Sequence, residues 1–335
     1  MTTPTASPTQ KPDLAETASL PSGLIALKPV LNGLKFTKMH GLGNDFVMLD
    51  GRTLGADISA STSLISTLAK IVCDRQWGIG ADGLIIAAPP TDPAQHQAKF
   101  IYYNADGSVA EMCGNGIRCF ALFCRQIGLV NAARFNVETL AGTITPEILP
   151  NGQVRVNMGA PRLQAAQIPV DTAHFSNAKN ETNPPSPVLE KTLTLPGGQR
   201  VQFSAISMGN PHAVIFNASL NPAAHGPVLE THPAFPAKTN VEFTEILSPT
   251  HLRVVVWERG CGFTQACGTG ACAVAVAAIL NKHAPAKTPL QVELPGGVLI
   301  IEWDGTETDP VFMTGPATVA FSGVWQPDYL GKIYA

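Results

Sequence analysis

The chain has 335 residues and a formal net charge of −3; 45% of it is hydrophobic and 14% charged, against a usual charged share of about 25%. That length predicts two domains whose core needs neither disulfides nor metals. The weak net charge gives no footprint for nucleic acid or a membrane surface, and no apolar run reaches the roughly 20 residues that span a bilayer.

Residues 1–33 are rich in Thr, Ser, Pro and Ala with no amphipathic period, which predicts a disordered N-terminal tail. Its longest apolar run, Leu24 to Leu27, is too short for a signal-peptide core. The lack of Arg and the presence of Asp13 and Glu16 argue against a transit peptide, so a cytoplasmic protein is expected. Phe36, Phe46 to Leu49, Leu84 to Ile86 and Phe100 to Tyr103 are short β-type runs bounded by Gly, Asn and Asp. Ile117 to Ile127 is apolar with few breaks and is followed by Gly128, which predicts a helix closed by a glycine cap. Ser176 to Pro187 is polar and proline-rich, a surface loop. Ala271 to Leu280 is almost wholly apolar, and a helix hydrophobic all round must be buried.

The chain contains itself twice. Gly43-Asn44-Asp45-Phe46-Val47 answers Gly209-Asn210-Pro211-His212-Ala213-Val214, and Cys113-Gly114-Asn115-Gly116 answers Cys267-Gly268-Thr269-Gly270. Val137-Glu138 with Gly142 answers Val292-Glu293 with Gly296, and Asn157 to Pro161 answers Phe312 to Pro316. The cysteines lie 154 residues apart, and the flanking blocks recur in the same order. Two halves of one ancestral fold are implied, each with one Cys-Gly-x-Gly at the entrance to a buried helix.

The first turn of a helix presents unpaired N–H groups and the positive end of the dipole. Glycines beside Asn115 and Thr269 let a carboxylate approach that backbone. The same field is expected to lower a thiol's pKa and supply a thiolate near neutral pH. Two thiols on opposite sides of one carboxylate-bearing carbon suit stereoinversion: one removes the α-proton and the other returns a proton to the opposite face. Cys73, Cys119, Cys124, Cys261 and Cys272 are read instead as buried small hydrophobes.

At these residues the chain resembles the diaminopimelate epimerase family. The resemblance runs from about Leu34 to the C-terminus and rests on four stretches: Lys38–Asp50, Tyr103–Ala121, Ser207–Val214 and Glu258–Ala273. It implies a cofactor-independent isomerase that interconverts LL- and meso-diaminopimelate in lysine biosynthesis, without a metal, as a homodimer. It also implies an α/β (α+β) fold of two pseudo-symmetric domains, each a mostly antiparallel sheet or barrel round a central helix, with the site in the cleft between them. The corresponding division is 34–157 plus 312–335 for one domain and 158–311 for the other. By matched position, Cys113 and Cys267 are the acid/base pair, with His212 and Glu258 exchanging protons beside them respectively. The amides of Gly114, Asn115, Gly268 and Thr269 cradle the reacting carboxylate. Asn44, Asn104, Asn210, Asn240, Glu258 and Arg259 bind the rest of the substrate. Gly83 stands where some members carry Gln and is assigned no contact. Asp45 and Asp106 are read as turn or cap residues.

The nearest alternative is a proline racemase or hydroxyproline epimerase on the same fold; the Glu258-Arg259 shell favours a substrate with a second amino-acid head. A metal or redox cysteine protein lacks its CxxC spacing. A pyridoxal-phosphate racemase would need a Schiff-base lysine, and Lys38 comes with no phosphate cup.

Overall fold

The computed structural model describes residues 33–175, 187–217 and 219–325, together with Leu27 and Leu31. The expected tail, apart from Leu27, Leu31 and Gly33, and nearly all of the expected 176–187 loop lie outside the described residues.

The first half of the chain supplies β1 (Lys35–Gly41), β2 (Asn44–Asp50), helix α1 (Thr62–Cys73), β3 (Gly83–Ala88), β4 (Ala98–Asn104), β5 (Val109–Ala110), helix α2 (Gly114–Gln126), β6 (Val137–Thr139) and β7 (Gly142–Ile144). After β8 (Pro146–Ile148) and β9 (Val154–Asn157) come β10 (Lys191–Thr194), β11 (Arg200–Ser207), β12 (Pro211–Ile215), helix α3 (Pro222–Glu230), β13 (Asn240–Ser248) and β14 (His251–Glu258). The chain closes with β15 (Gly262–Phe263), helix α4 (Gly268–Leu280), β16 (Leu290–Leu294), β17 (Gly297–Glu302), β18 (Phe312–Gly315) and β19 (Thr318–Val324).

The duplication is a duplication of topology. In one sheet the strands run β1-β2-β3-β4-β6-β7, with β5 on β4; in the other they run β11-β12-β13-β14-β16-β17, with β15 on β14. Each step has the same sense in both: β2 on β3 and β12 on β13 are parallel, as are β4 on β6 and β14 on β16. Both sheets are open, not closed barrels, ending at β19 and β7 in one and at β10 and β8 in the other. The pairing of β18 on β17 crosses the expected domain boundary, so by hydrogen bonding β18, and with it β9 and β8, joins the second sheet. By packing, β8 and β9 nevertheless cover α2.

Each sheet buries a central helix on one face and a peripheral helix on the other. One cluster runs through both central helices, from Ile117, Phe120 and Phe123 on α2 to Val274 and Val276 on α4. As the apolar run predicts, every residue from Gly270 to Ala278 is buried. α1 packs behind the first sheet with Leu68, Ile71 and Val72, and there Cys73 is indeed a buried apolar group. Helix α3 packs behind the second sheet through Leu229. Neither peripheral helix is among the sequence expectations. α1 is nevertheless capped by Ser61, which accepts from the Leu64 N–H, and α3 by Asn221 followed by Pro222.

The halves meet where the β1–β2 turn touches the β16–β17 turn. Leu42 is held there at φ 57, a costly conformation for a branched side chain. Its carbonyl abuts Gly296 so closely that a Cβ on Gly296 would overlap it. The Gly296→Ala variant must therefore open this seam, at about 1–3 kcal/mol for overpacking. Gly55→Ala, where a Cβ meets nothing within 4 Å, should stay within about 0.5 kcal/mol of the parent. Urea unfolding of both variants checks the contrast.

Candidate active site

Cys113 and Cys267 are the N-caps of α2 and α4. Each has extended backbone and a sulfur that accepts from the N–H three residues on, Gly116 at 3.5 Å and Gly270 at 3.3 Å. The two helices meet start to start. A methyl placed on Gly268 would lie 3.6 Å from the Gly114 Cα, and the Met313 side chain packs against both glycines. The helix starts of both halves, at Gly114-Asn115 and Gly268-Thr269, are thus brought together.

The first sheet presents Asn44 and Asn104 at the same end of β2 and β4, the two strands that flank β3, where Gly83 pairs with both Phe46 and Asn104. Asn44 Oδ1 lies 3.7 Å from the Cys113 sulfur and accepts from Asn115 Nδ2 at 3.2 Å. Its own amide donates to Asp82 Oδ2 at 2.7 Å. Asp82 is fixed in turn by Arg75 and by the Asp45 N–H. Asp45 is structural but neither a turn nor a cap residue: within β2 it pairs with Lys38 and Arg75, which hold its carboxyl down to about 2 against the cost of burial. Asp106, as expected, caps its turn through Ser108. Asn104 donates to Ser108 Oγ. A Cβ at Gly83 would strike the Tyr102 ring at 2.5 Å, so no side chain enters the site from that position.

Around Cys267 the second sheet presents Asn210, His212, Asn240 and Glu258 at one end. Thr269 Oγ1 lies 3.5 Å from the sulfur. Glu258 accepts from Thr264 Oγ1 at 2.6 Å and from the Cys267 thiol. His212 is fully buried and spends both ring nitrogens, Nδ1 on Glu242 Oε1 at 2.7 Å and Nε2 on Asn210 Oδ1 at 2.9 Å. Its hydrogen bonds therefore run to Glu242 and Asn210, not to Cys113. Asn240 is also committed: its amide donates to the Pro211 carbonyl and its oxygen accepts the Arg259 N–H. The Arg259 side chain is exposed and donates to the Ala237 carbonyl at 3.0 Å.

Burial reverses one expectation. It pushes the thiols of both Cys113 and Cys267 above the ordinary range, because burial penalises a thiolate more than the helix amides favour it. The two are not equal. Cys113 is relieved by the Gly116 and Asn115 amides and by Arg118, with Glu258 opposing. Cys267 faces two carboxyl groups, Glu258 and Glu242, and is raised further. Glu258 and Glu242 are themselves raised by burial. A second correction concerns Cys261, which is exposed: it sits in a turn between Gly260 and Gly262 at φ 77 and 78 and points outward. Cys119, Cys124 and Cys272 are fully buried, as expected.

Three residues of the site go unnamed in the sequence reading. Glu242 lies two residues beyond Asn240 on the same strand face, so alternation could have found it. Arg118 is one of two cations, with Arg125, in the apolar run after Cys113, and the one of them that is buried. Asp82 has no local signal, because it meets Asn44 only through strand pairing.

The diaminopimelate epimerase family model matches residues 36–164 and 204–320. Among curated proteins, the diaminopimelate epimerase of Desulforudis audaxviator is 49% identical over 87% of this chain and 99% of its own length. That of Carboxydothermus hydrogenoformans is 47% identical over 87% of this chain and 98% of its own. Among solved structures, a probable proline racemase from Agrobacterium radiobacter superposes with a TM-score of 0.58 at 15% identity, covering 87% of this chain and 92% of that one. A hydroxyproline epimerase from Agrobacterium vitis gives 0.57 at 13%, with the same coverage. At those identities the likeness is one of fold.

The raised thiols set an expectation for alkylation. A group with raised pKa stays protonated through the ordinary thiol range, so iodoacetamide labelling of Cys113 and Cys267 in the free protein should keep climbing above pH 9. Cys113 should react first at every pH. Peptide mass spectrometry after timed labelling reads both, and a plateau below pH 8 would show the helix field outweighing burial.

Proposed function

The chain belongs to the diaminopimelate epimerase family, and we propose that it interconverts LL- and meso-diaminopimelate with Cys113 and Cys267 as a two-base pair and without a cofactor. The observation that carries this reading is the start-to-start meeting of two cysteine-capped helices. One carboxylate between them would accept hydrogen bonds from the amides of both halves, and its α-carbon would sit between the two sulfurs.

The less hindered anion is Cys113, so the working form is a Cys113 thiolate with a Cys267 thiol. The thiolate takes the α-proton of the LL isomer, and charge flows into the cradled carboxylate. Cys267 then gives its proton to the opposite face, leaving a Cys113 thiol and a Cys267 thiolate. Glu258, hydrogen-bonded to Cys267 and raised by burial, returns a proton to that sulfur and is reprotonated from solvent, while the part-exposed Cys113 gives its proton up to solvent, so that the pair regains its working form. His212, locked between Glu242 and Asn210, serves by holding Asn210 towards the substrate. Asn44 and Asn104 take the substrate from the first sheet, and Asn240 sets the backbone of Arg259, whose fork suits the distal carboxylate.

Among the described residues no helix is long and apolar enough to cross a membrane, and we place the enzyme in the cytoplasm without a nucleic-acid or membrane partner. A homodimer is supported by β19, an edge strand with Val319, Phe321 and Val324 exposed. Phe321→Asp should then move the protein from dimer to monomer in sedimentation velocity; a parent that is monomeric at every concentration removes the proposal.

Incubated with LL-diaminopimelate in D2O, the enzyme should form the meso isomer carrying deuterium at one α-carbon, visible by proton NMR. Cys113→Ala and Cys267→Ala should each cut epimerisation by about a thousandfold or more, as loss of a positioned acid or base does. A folded, reduced sample that turns over proline or hydroxyproline instead would replace diaminopimelate as the substrate.

A further inference from the structure

Arg118 is fully buried and has no carboxylate partner within ion-pair distance among the described residues. Its guanidinium donates to the Gly114 carbonyl at 3.0 Å, the Pro316 carbonyl at 3.1 Å and Asn115 Oδ1 at 3.0 Å, with Met313 Sδ at 3.7 Å. Gly41 and Gly315 clear its space: a Cβ on either would come within 2.9 and 3.3 Å of the guanidinium nitrogens. A buried charge is normally paired or neutralised, yet here the donors are answered only by neutral acceptors.

The partners of that fork lie in both halves of the site. Gly114 follows Cys113 directly. Asn115, oriented through its Oδ1, turns its amide on the Ala266 carbonyl at 2.9 Å, and Ala266 precedes Cys267. One guanidinium thus sets both cysteine turns. The titratable groups facing it are Cys113 and Cys119 on its own helix and Cys272 on α4. Burial keeps Cys119 and Cys272 as thiols, raised to about 12. Cys113 is faced by Arg118, by Glu258 from β14 and by Tyr102 from β4.

We propose that Arg118 is a positioning residue for the acid/base pair: it fixes the two cysteine turns relative to each other and supplies the standing positive charge against which Cys113 becomes a thiolate. The inference rests on the two-thiol reading, but its central readout does not need turnover.

The test compares Arg118→Gln and Arg118→Met with Arg118→Lys, using the pH profile of Cys113 alkylation, kcat, KM and thermal unfolding. The neutral variants should move Cys113 labelling to higher pH by about one unit or more, the usual effect of losing a nearby opposite charge. Lys should hold the profile close to that of the parent while kcat falls at least about tenfold, because its compact ammonium lacks the planar fork that reaches the three separately placed acceptors. KM should change less than kcat in all three. A folded Gln or Met variant with an unmoved profile overturns the charge role, and Lys with full kcat overturns the positioning role. Gln keeps donors for two of the acceptors and serves where Met does not fold. If the parent fails to epimerise diaminopimelate, the labelling profiles still decide the role of Arg118.

Discussion

The rest of the site depends on two helices beginning within a methyl's width of each other. Like ends of two helix dipoles repel, so this meeting has to be held in place. Gly114 and Gly268 permit the approach because neither carries a side chain, and Met313 fills the space against both. The retaining force is burial: α2 and α4 are embedded in one apolar cluster that runs through both halves, and separating them would expose it. The sulfur of each cysteine satisfies one orphan amide, which leaves the helix-start amides at residues 114–115 and 268–269 as the natural complement of an anion.

The scaffold is symmetric and its electrostatics are not. Every strand pairing of the first sheet recurs in the second, yet the groups near the two sulfurs differ. Cys113 has a neutral amide in Asn44 and a cation in Arg118 set against Glu258; Cys267 faces both Glu258 and Glu242. A pair of identical thiols in identical fields would have no preferred resting form. Unequal neighbours decide it, because the same burial that raises both is offset more fully at Cys113.

Much of this was legible in the chain. The repeated blocks located both cysteines, and the glycines after them announced helix starts; α2 and α4 begin within three residues of the expected first positions. Strand runs at Phe46 and Leu84 fell inside β2 and β3, since short apolar runs bounded by turn residues carry a local signal. What escaped was long-range. Asp82 reaches Asn44 through the β2–β3 pairing, and Arg118 meets Pro316 from the other end of the chain. The same holds for β9 on β18, which pairs Asn157 with Phe312 and Val154 with Gly315 from distant parts of the chain. The direction of the thiol shift has a related origin: the helix start is visible in sequence, whereas the depth of burial around it is a property of the assembled halves.

Burial acts on the proposed chemistry in two directions. It makes each thiolate costly in the free protein, and so makes the ionised sulfur a stronger base once formed. It also removes the water that would otherwise reset the pair, because each turnover leaves the proton on the wrong sulfur. A two-thiol site in a dry cleft therefore needs a titratable neighbour that is itself poised between charged and neutral. Glu258 meets that requirement: burial raises it, Thr264 and Cys267 donate to it, and its backbone stands at the partly exposed end of β14. Glu242, fully buried with Oε2 unpartnered, does not reach solvent and acts through His212. The division of labour between these two acids follows from where their strands end: one at the rim of the cleft, the other beneath it.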